Sequence, residues 1–173
     1  MIRALVLGDT HLEKFLIPER LVQMLENADL VIHTGDFESY EVYKKFAEYE
    51  LIAVAGDSDE FKIKEELPEE RIFSLENLKF GLIHKGNFTN EFHDVGYKAM
   101  ELGVDFMIFG HVHRFVLDDA RGIKLLSPGS PTFPRLSIGS FVELIVDGKR
   151  VDIRLHTTNR VCGIDFIKEK GVH

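Results

Sequence analysis

An α/β fold is predicted for this 173-residue chain by three features of its sequence. Short, continuous apolar runs suit strands that are buried on both faces. In the first half these runs alternate with segments of helical periodicity, and consecutive β-loop-α units produce parallel strands. Several of the runs then give way to glycine beside aspartate or histidine, at the strand end where α/β folds bind ligands.

The elements follow in order. Ile2 to Leu7 reads as a buried strand. Pro18 can open a helix whose Leu21, Val22 and Leu25 face inward as far as Ala28. Leu30 to His33 is a second strand, and Ser39 can cap a helix that turns Val42, Phe46 and Tyr49 inward. Leu51 to Ala55 is a third strand. After the charged stretch from Asp59 to Glu70, Arg71 to Leu75 and Leu78 to Ile83 form a strand pair turning at Glu76-Asn77. Thr89 or Asn90 can cap a helix with Phe92, Val95, Ala99 and Leu102 on one face, ended by Gly103. Asp105 to Phe109 is again a strand. The remainder, Arg114 to Leu117, Ile123 to Leu126, Phe141 to Val146 and Val151 to Leu155, reads as mostly antiparallel strands. Asp147-Gly148 turns the last hairpin, and the proline-rich segment from Ser127 to Pro131, with Pro134, is a rigid loop. From Thr157 to His173 no element is predicted, and no repeat or internal domain boundary is visible.

Composition narrows the class. A chain of this length is one domain, able to bury about two-thirds of its unfolded surface. With 45% hydrophobic and 29% charged residues it has an ordinary globular composition. No apolar run approaches the ~20 residues that span a bilayer, and the run from Met1 to Leu7 is too short for a signal peptide. Cys162 is the one cysteine. It permits no internal disulfide, so a cytoplasmic location is expected, and otherwise it reads as a small apolar residue. The net charge of −8 argues against broad nucleic-acid binding. A phosphate substrate remains compatible, because bound cations invert the local field.

Seven candidate metal ligands fall into five strand-end clusters. They are Asp9 and His11 in Gly8-Asp9-Thr10-His11, Asp36 after Gly35, Asp57 after Gly56, His84 before Lys85-Gly86, and His111 and His113 in Gly110-His111-Val112-His113. In an extended segment, Asp9 and His11 share a face and can reach one ion. Each Gly-Asp pair taken alone is ordinary turn chemistry, and His84 alone would pass for a structural histidine. Two histidines at i and i+2 past a buried strand are more specific. Carboxylate and imidazole together are what a pair of divalent cations needs, and Asp36 is the best candidate to bridge them. His33 reads as a core group or one lying behind the ligands, and Asp59 as a residue that orients a neighbouring ligand. His93 has no partner nearby in sequence, and His156 and His173 are expected at the surface.

The order Asp-x-His, Gly-Asp, Gly-Asp-x-Asp, His, Gly-His-x-His resembles the calcineurin-like metallophosphoesterase superfamily. It is most similar to the small single-domain phosphodiesterase branch, to which a retromer scaffold subunit is related. The resemblance runs from Ile2 to about Thr157. It implies a domain over residues 1–157 with a tail over 158–173, built as two facing mixed β-sheets flanked by helices. It also implies a first metal held by Asp9, His11, Asp36 and His113, and a second held by Asp36, Asp57, His84 and His111. The implied reaction is hydrolysis of a small phosphodiester or nucleotide by a metal-bridging hydroxide, between cations ~3.5–4 Å apart. Manganese is the first expectation; nickel, iron, cobalt and zinc suit the same donors. The alternative is a non-catalytic metal-binding or protein-interaction scaffold. A homo-oligomer is also open, with the segment Phe88 to Phe92 and the tail as candidate interfaces.

Two departures from the pattern carry expectations. Asp57 stands where the superfamily usually has asparagine, so the three aspartates set −3 against +4 from two divalent ions. Ser58 stands where larger members carry a histidine, and a serine cannot protonate a leaving group near neutral pH. Good leaving groups are therefore favoured. Lys85 follows His84 where many relatives have glycine, and a lysine there could contact phosphate.

Overall fold

The computed structural model describes residues 1–85 and 91–161. Strand β1 (Ile2–Leu7) leads to helix α1 (Glu19–Glu26), then β2 (Leu30–His33), α2 (Tyr40–Phe46), β3 (Leu51–Ala53) and α3 (Phe61–Glu66). There follow β4 (Glu70–Leu75), β5 (Leu78–Ile83), α4 (His93–Leu102), β6 (Phe106–Phe109), β7 (Phe115–Ala120), β8 (Ile123–Pro128), β9 (Ile138–Asp147) and β10 (Arg150–Val161).

The strands form two mixed five-stranded sheets, ordered β10-β9-β1-β2-β3 and β4-β5-β6-β8-β7. Within the first, β1, β2 and β3 run parallel, while β9 pairs antiparallel with both β1 and β10. Within the second, β5, β6 and β8 are parallel, and β4 and β7 pair antiparallel at the edges. Side chains alternate along each strand, so each sheet has two apolar faces to cover. Ala4, Val6, Ile32, Val142 and Leu144 of the first sheet meet Phe80, Leu82, Ile108 and Leu126 of the second in a central core. Leu5, Leu7, Val31 and Ala53 face outward onto Leu21, Leu25, Phe46 and Ile63 of the first three helices. On the far side, Ile83, Met107 and Leu125 pack on Val95 and Ala99 of α4. The predicted α/β class is thus realised as four layers, with two facing sheets enclosed by helices.

Differences from the expected elements have local causes. Helix α3 lies in the charged stretch, where it was not foreseen; Ile63 is its sole buried residue, too little for a periodic signal. Strand β10 continues to Val161, pairing there with Ile138 after an irregularity in register. Helix α4 ends at Gly103 in the left-handed conformation, as predicted. Its proposed caps Thr89 and Asn90, together with Phe88, Cys162 and His173, lie outside the described residues. His156, expected at the surface, is half-buried instead. Its ring stacks on Phe141 at 5.1 Å, because the hairpin register sets the two directly opposite.

Candidate metal centre

Parallel pairing brings the carboxyl ends of β1, β2 and β3 to one edge of the first sheet, and those of β5 and β6 to one edge of the second. Hydrogen bonds join the two edges. The backbone N–H of His111 donates to both carboxylate oxygens of Asp9, at 3.1 and 2.9 Å. His84 Nδ1 donates to the Thr34 carbonyl at 2.8 Å, and Gly110 N donates to the His84 carbonyl at 2.8 Å. Close approach depends on glycine: a Cβ at Gly56 would collide with the backbone and carboxylate of Asp36.

Two groups of donor atoms result. Asp9, His11, Asp36 and His113 each place one ligand atom within 4.8 Å of the others, and so do Asp36, His84 and His111. Asp36 is common to both. Its Oδ2 lies 3.4 Å from His11 Nε2 and 3.2 Å from His84 Nε2. Asp57 stands apart from these groups: its Oδ2 is 2.6 Å from Lys85 Nζ and 3.7 Å from His111 Nδ1, and the side chain is half exposed.

The donor set fits divalent cations on several counts. Asp9, His11, Asp36, His111 and His113 all have left-handed φ, between 44° and 72°. Such strain costs about 1–3 kcal/mol per residue and gathers at functional sites. The histidine rings are fixed from behind: His113 Nδ1 donates to the Phe133 carbonyl at 2.6 Å, and His11 Nδ1 lies 3.1 Å from Glu38 Oε2. Ring nitrogens so anchored turn Nε2 inward, as metal-binding histidines do. The Nε2 atoms of His11 and His113 face each other at 3.2 Å, and the buried His84 Nε2 faces the Asp36 carboxylate.

The electrostatics agree. Burial pushes the Asp9 carboxyl up to about 7, the nearby His84 opposing. Burial also acts against a charged Asp36, but contacts with His84 and the Ser58 backbone N–H hold that carboxyl well below its usual range. His113 is pushed down to about 4, chiefly by burial. His84 is penalised by burial too, yet Asp36 and Asp9 raise it. Carboxylates and imidazoles enclosed together in this way form a donor set that a cation can complete.

Asp59 and His33 lie next to the two groups. Asp59 accepts the backbone N–H groups of Gly56, Asp36 and Glu38. His33 is fully buried and stacked on Phe37 at 3.6 Å. It accepts the Gly35 N–H on Nδ1, which leaves Nε2–H to donate to Thr10 Oγ1. It therefore lies behind the ligands, in the core. Sequence reasoning missed Glu38, Thr34, Ser130 and Thr132; Glu38 precedes the helix cap Ser39, and its position two residues after Asp36 was the one available signal.

Fold and site together define a metallophosphoesterase-type centre. The chain belongs to the calcineurin-like phosphoesterase superfamily, whose domain profile matches residues 2–149. A probable metallophosphoesterase of Methanocaldococcus jannaschii is 35% identical over 150 residues, covering 83% of this chain and 76% of the relative. Another, of Methanothermobacter thermautotrophicus, is 33% identical over 161 residues, covering 88% and 91%. Among solved structures, Entamoeba histolytica Vps29 complexed with zinc superposes with a TM-score of 0.78 at 26% identity, covering 90% of this chain and 92% of that one. An uncharacterised protein of Streptococcus pneumoniae, described as a predicted phosphoesterase, shares the fold at a TM-score of 0.74, with 20% identity and 94% coverage of both chains. No helix among the described residues is long and apolar enough to cross a membrane.

Proposed function

We propose that this chain is a dimetal phosphodiesterase acting on a small phosphodiester or nucleotide, with manganese the leading candidate for its two ions ahead of nickel, iron, cobalt or zinc. One observation carries the reading: two groups of ligand atoms that share the single carboxylate of Asp36. Asp9, His11, Asp36 and His113 would hold one ion; Asp36, His84 and His111 would hold the other, with Asp57 beside them. When bound, the pair would supply Lewis acidity toward the phosphoryl oxygens and an activated water. The chain's own part is to fix the donors. Thr34, Phe133 and Glu38 hold the outer nitrogens of His84, His113 and His11, so the rings need not reorganise as charge develops. Ser58 sits where a proton donor would be useful and cannot serve as one, which favours substrates with good leaving groups. A cavity of about 510 Å³ borders the second group, lined by Gly56, Asp57, His84 and Lys85 among others, and gives space for the substrate. Two further parts of the reading are a cytoplasmic location, from the lone Cys162, and a domain closing near residue 157.

The test joins metal analysis of the purified protein with a panel of phosphodiesters, with and without manganese. Expected are bound metal, manganese-dependent turnover, and loss of both in His84→Ala. At a metal concentration about 100-fold above Kd, folding stability should rise by about 2.7 kcal/mol, and chelation should reverse it. A second reading, a non-catalytic metal-binding or protein-interaction scaffold, is supported by the zinc-bound Vps29 structure among the neighbours. Bound metal without turnover of any ester would favour it.

A further inference from the structure

Beside the first group of ligands, the segment after β8 is fastened to the metal-bearing turns. Ser130 Oγ donates to the Asp9 carbonyl at 2.7 Å, and Thr132 Oγ1 donates to the Thr10 carbonyl at 2.6 Å. The Phe133 carbonyl receives His113 Nδ1 at 2.6 Å, while Arg135 N and Ser137 Oγ donate to the His113 carbonyl at 3.2 and 3.1 Å. Phe133 N is itself held by Ser130 Oγ at 2.7 Å.

A segment so firmly tied would be expected to turn its apolar side chains inward. It does the opposite. Phe133 is 53% exposed and Leu136 96% exposed, and Leu136 sits at a left-handed φ of 48°, a costly conformation for a bulky side chain. The Phe133 ring lies 5.4 Å from the His11 ring and 5.9 Å from that of His113. Arg135 is exposed, and its side chain makes no ion pair among the described residues. Its backbone N–H is fixed to the His113 carbonyl, which places the residue beside that ligand. A rigid aromatic face, an unspent cation and a metal-ligand cluster therefore share one rim.

We propose that this segment recognises the substrate: Phe133 stacks on an aromatic ring of the phosphoester, such as a nucleobase, and Arg135 attracts its anionic phosphate. The inference rests on the phosphodiesterase reading and names the class of ester taken. Stacking of a base on an aromatic side chain is tolerant of base identity, so discrimination should lie between aromatic and aliphatic esters rather than among bases.

Two measurements test it. The first compares the p-nitrophenyl ester of thymidine 5′-phosphate with methyl p-nitrophenyl phosphate, which share a leaving group. In Phe133→Ala the ratio of kcat/KM for the nucleoside ester over the methyl ester should fall by about tenfold. In Arg135→Ala both values should fall together. An unchanged ratio in Phe133→Ala would overturn the proposal. The second needs no turnover. The chain has no tryptophan, so Phe133→Trp introduces a single indole. Adenosine 5′-monophosphate added to the manganese-loaded variant should quench its fluorescence, whereas ribose 5-phosphate should not. Equal responses would overturn the proposal. Quenching in a protein that hydrolyses no ester would retain the stacking surface and discard the phosphodiesterase reading. Hydrolysis with an unchanged ratio would do the reverse.

Discussion

Asp59 Oδ2 accepts the backbone N–H of Asp36 at 3.1 Å, and the same atom accepts that of Gly56 at 2.7 Å. Its other oxygen takes the Glu38 N–H at 2.9 Å. One buried carboxylate thereby ties the turn after β2 to the turn after β3 and sets the residue shared by both ligand groups. Burial pushes the Asp59 carboxyl up, and the three N–H donors work against that shift. In Asp59→Ala those donors lose their acceptor, and a buried unsatisfied group costs about 1–3 kcal/mol. We expect folding stability to fall by about 3 kcal/mol and manganese affinity to fall about 10- to 100-fold. Urea denaturation and metal titration check this; metal affinity equal to that of the wild type would show that the turn is set elsewhere.

Asp57 takes its place in the charge balance through Lys85, 2.6 Å away. Both side chains are about half exposed, so the pair adds little to stability, within about 0.5 kcal/mol. Asp57→Asn removes one negative charge and releases the ammonium, making the centre more positive toward an anionic diester. Metal retention should weaken, while KM for bis(p-nitrophenyl) phosphate should drop by about threefold, the scale of one partly screened charge. Metal affinity and diester kinetics in the variant decide the matter, and unchanged values for both would sink the expectation.

The central strands β1, β2, β5 and β6 were legible because each is a largely apolar run, and the pleat then dictated which residues face the central core. The candidate ligands were legible for a related reason: a Gly-Asp or a Gly-His-x-His has no packing purpose at the end of a buried strand. Asp57 shows the limit of that logic. Its Gly-Asp looks like that of Asp36, yet its carboxylate turns to Lys85, a choice made by a neighbouring loop. His156 shows a second limit, since what buries it is the cross-strand register with Phe141. Ser130 and Thr132 show a third: hydroxyls in a proline-rich loop carry no periodic signal, and their acceptors lie more than a hundred residues away.

Glu143 supplies a pH dependence that is independent of any metal. It is buried on β9, with Arg3 bonded to Oε1 and with Arg154 and His156 each 3.6 Å from Oε2. Burial alone would raise its carboxyl, but Arg3 and then His156 outweigh that and hold it below its ordinary 4.5. For a carboxylate lowered in the folded state, the unfolded chain takes up the proton first as the pH falls. Stability due to Glu143 is therefore fully present above about 4.5 and is lost progressively as the pH drops toward the folded-state value. Glu143→Gln should be less stable than the wild type at pH 7 by about 1.5–3 kcal/mol, the worth of hydrogen bonds to a charged group. The two proteins should converge as acid removes the charge. Urea denaturation of both at pH 7, 5 and 3.5 measures this, and a stability difference that stays constant across the three would assign the loss to packing rather than to charge.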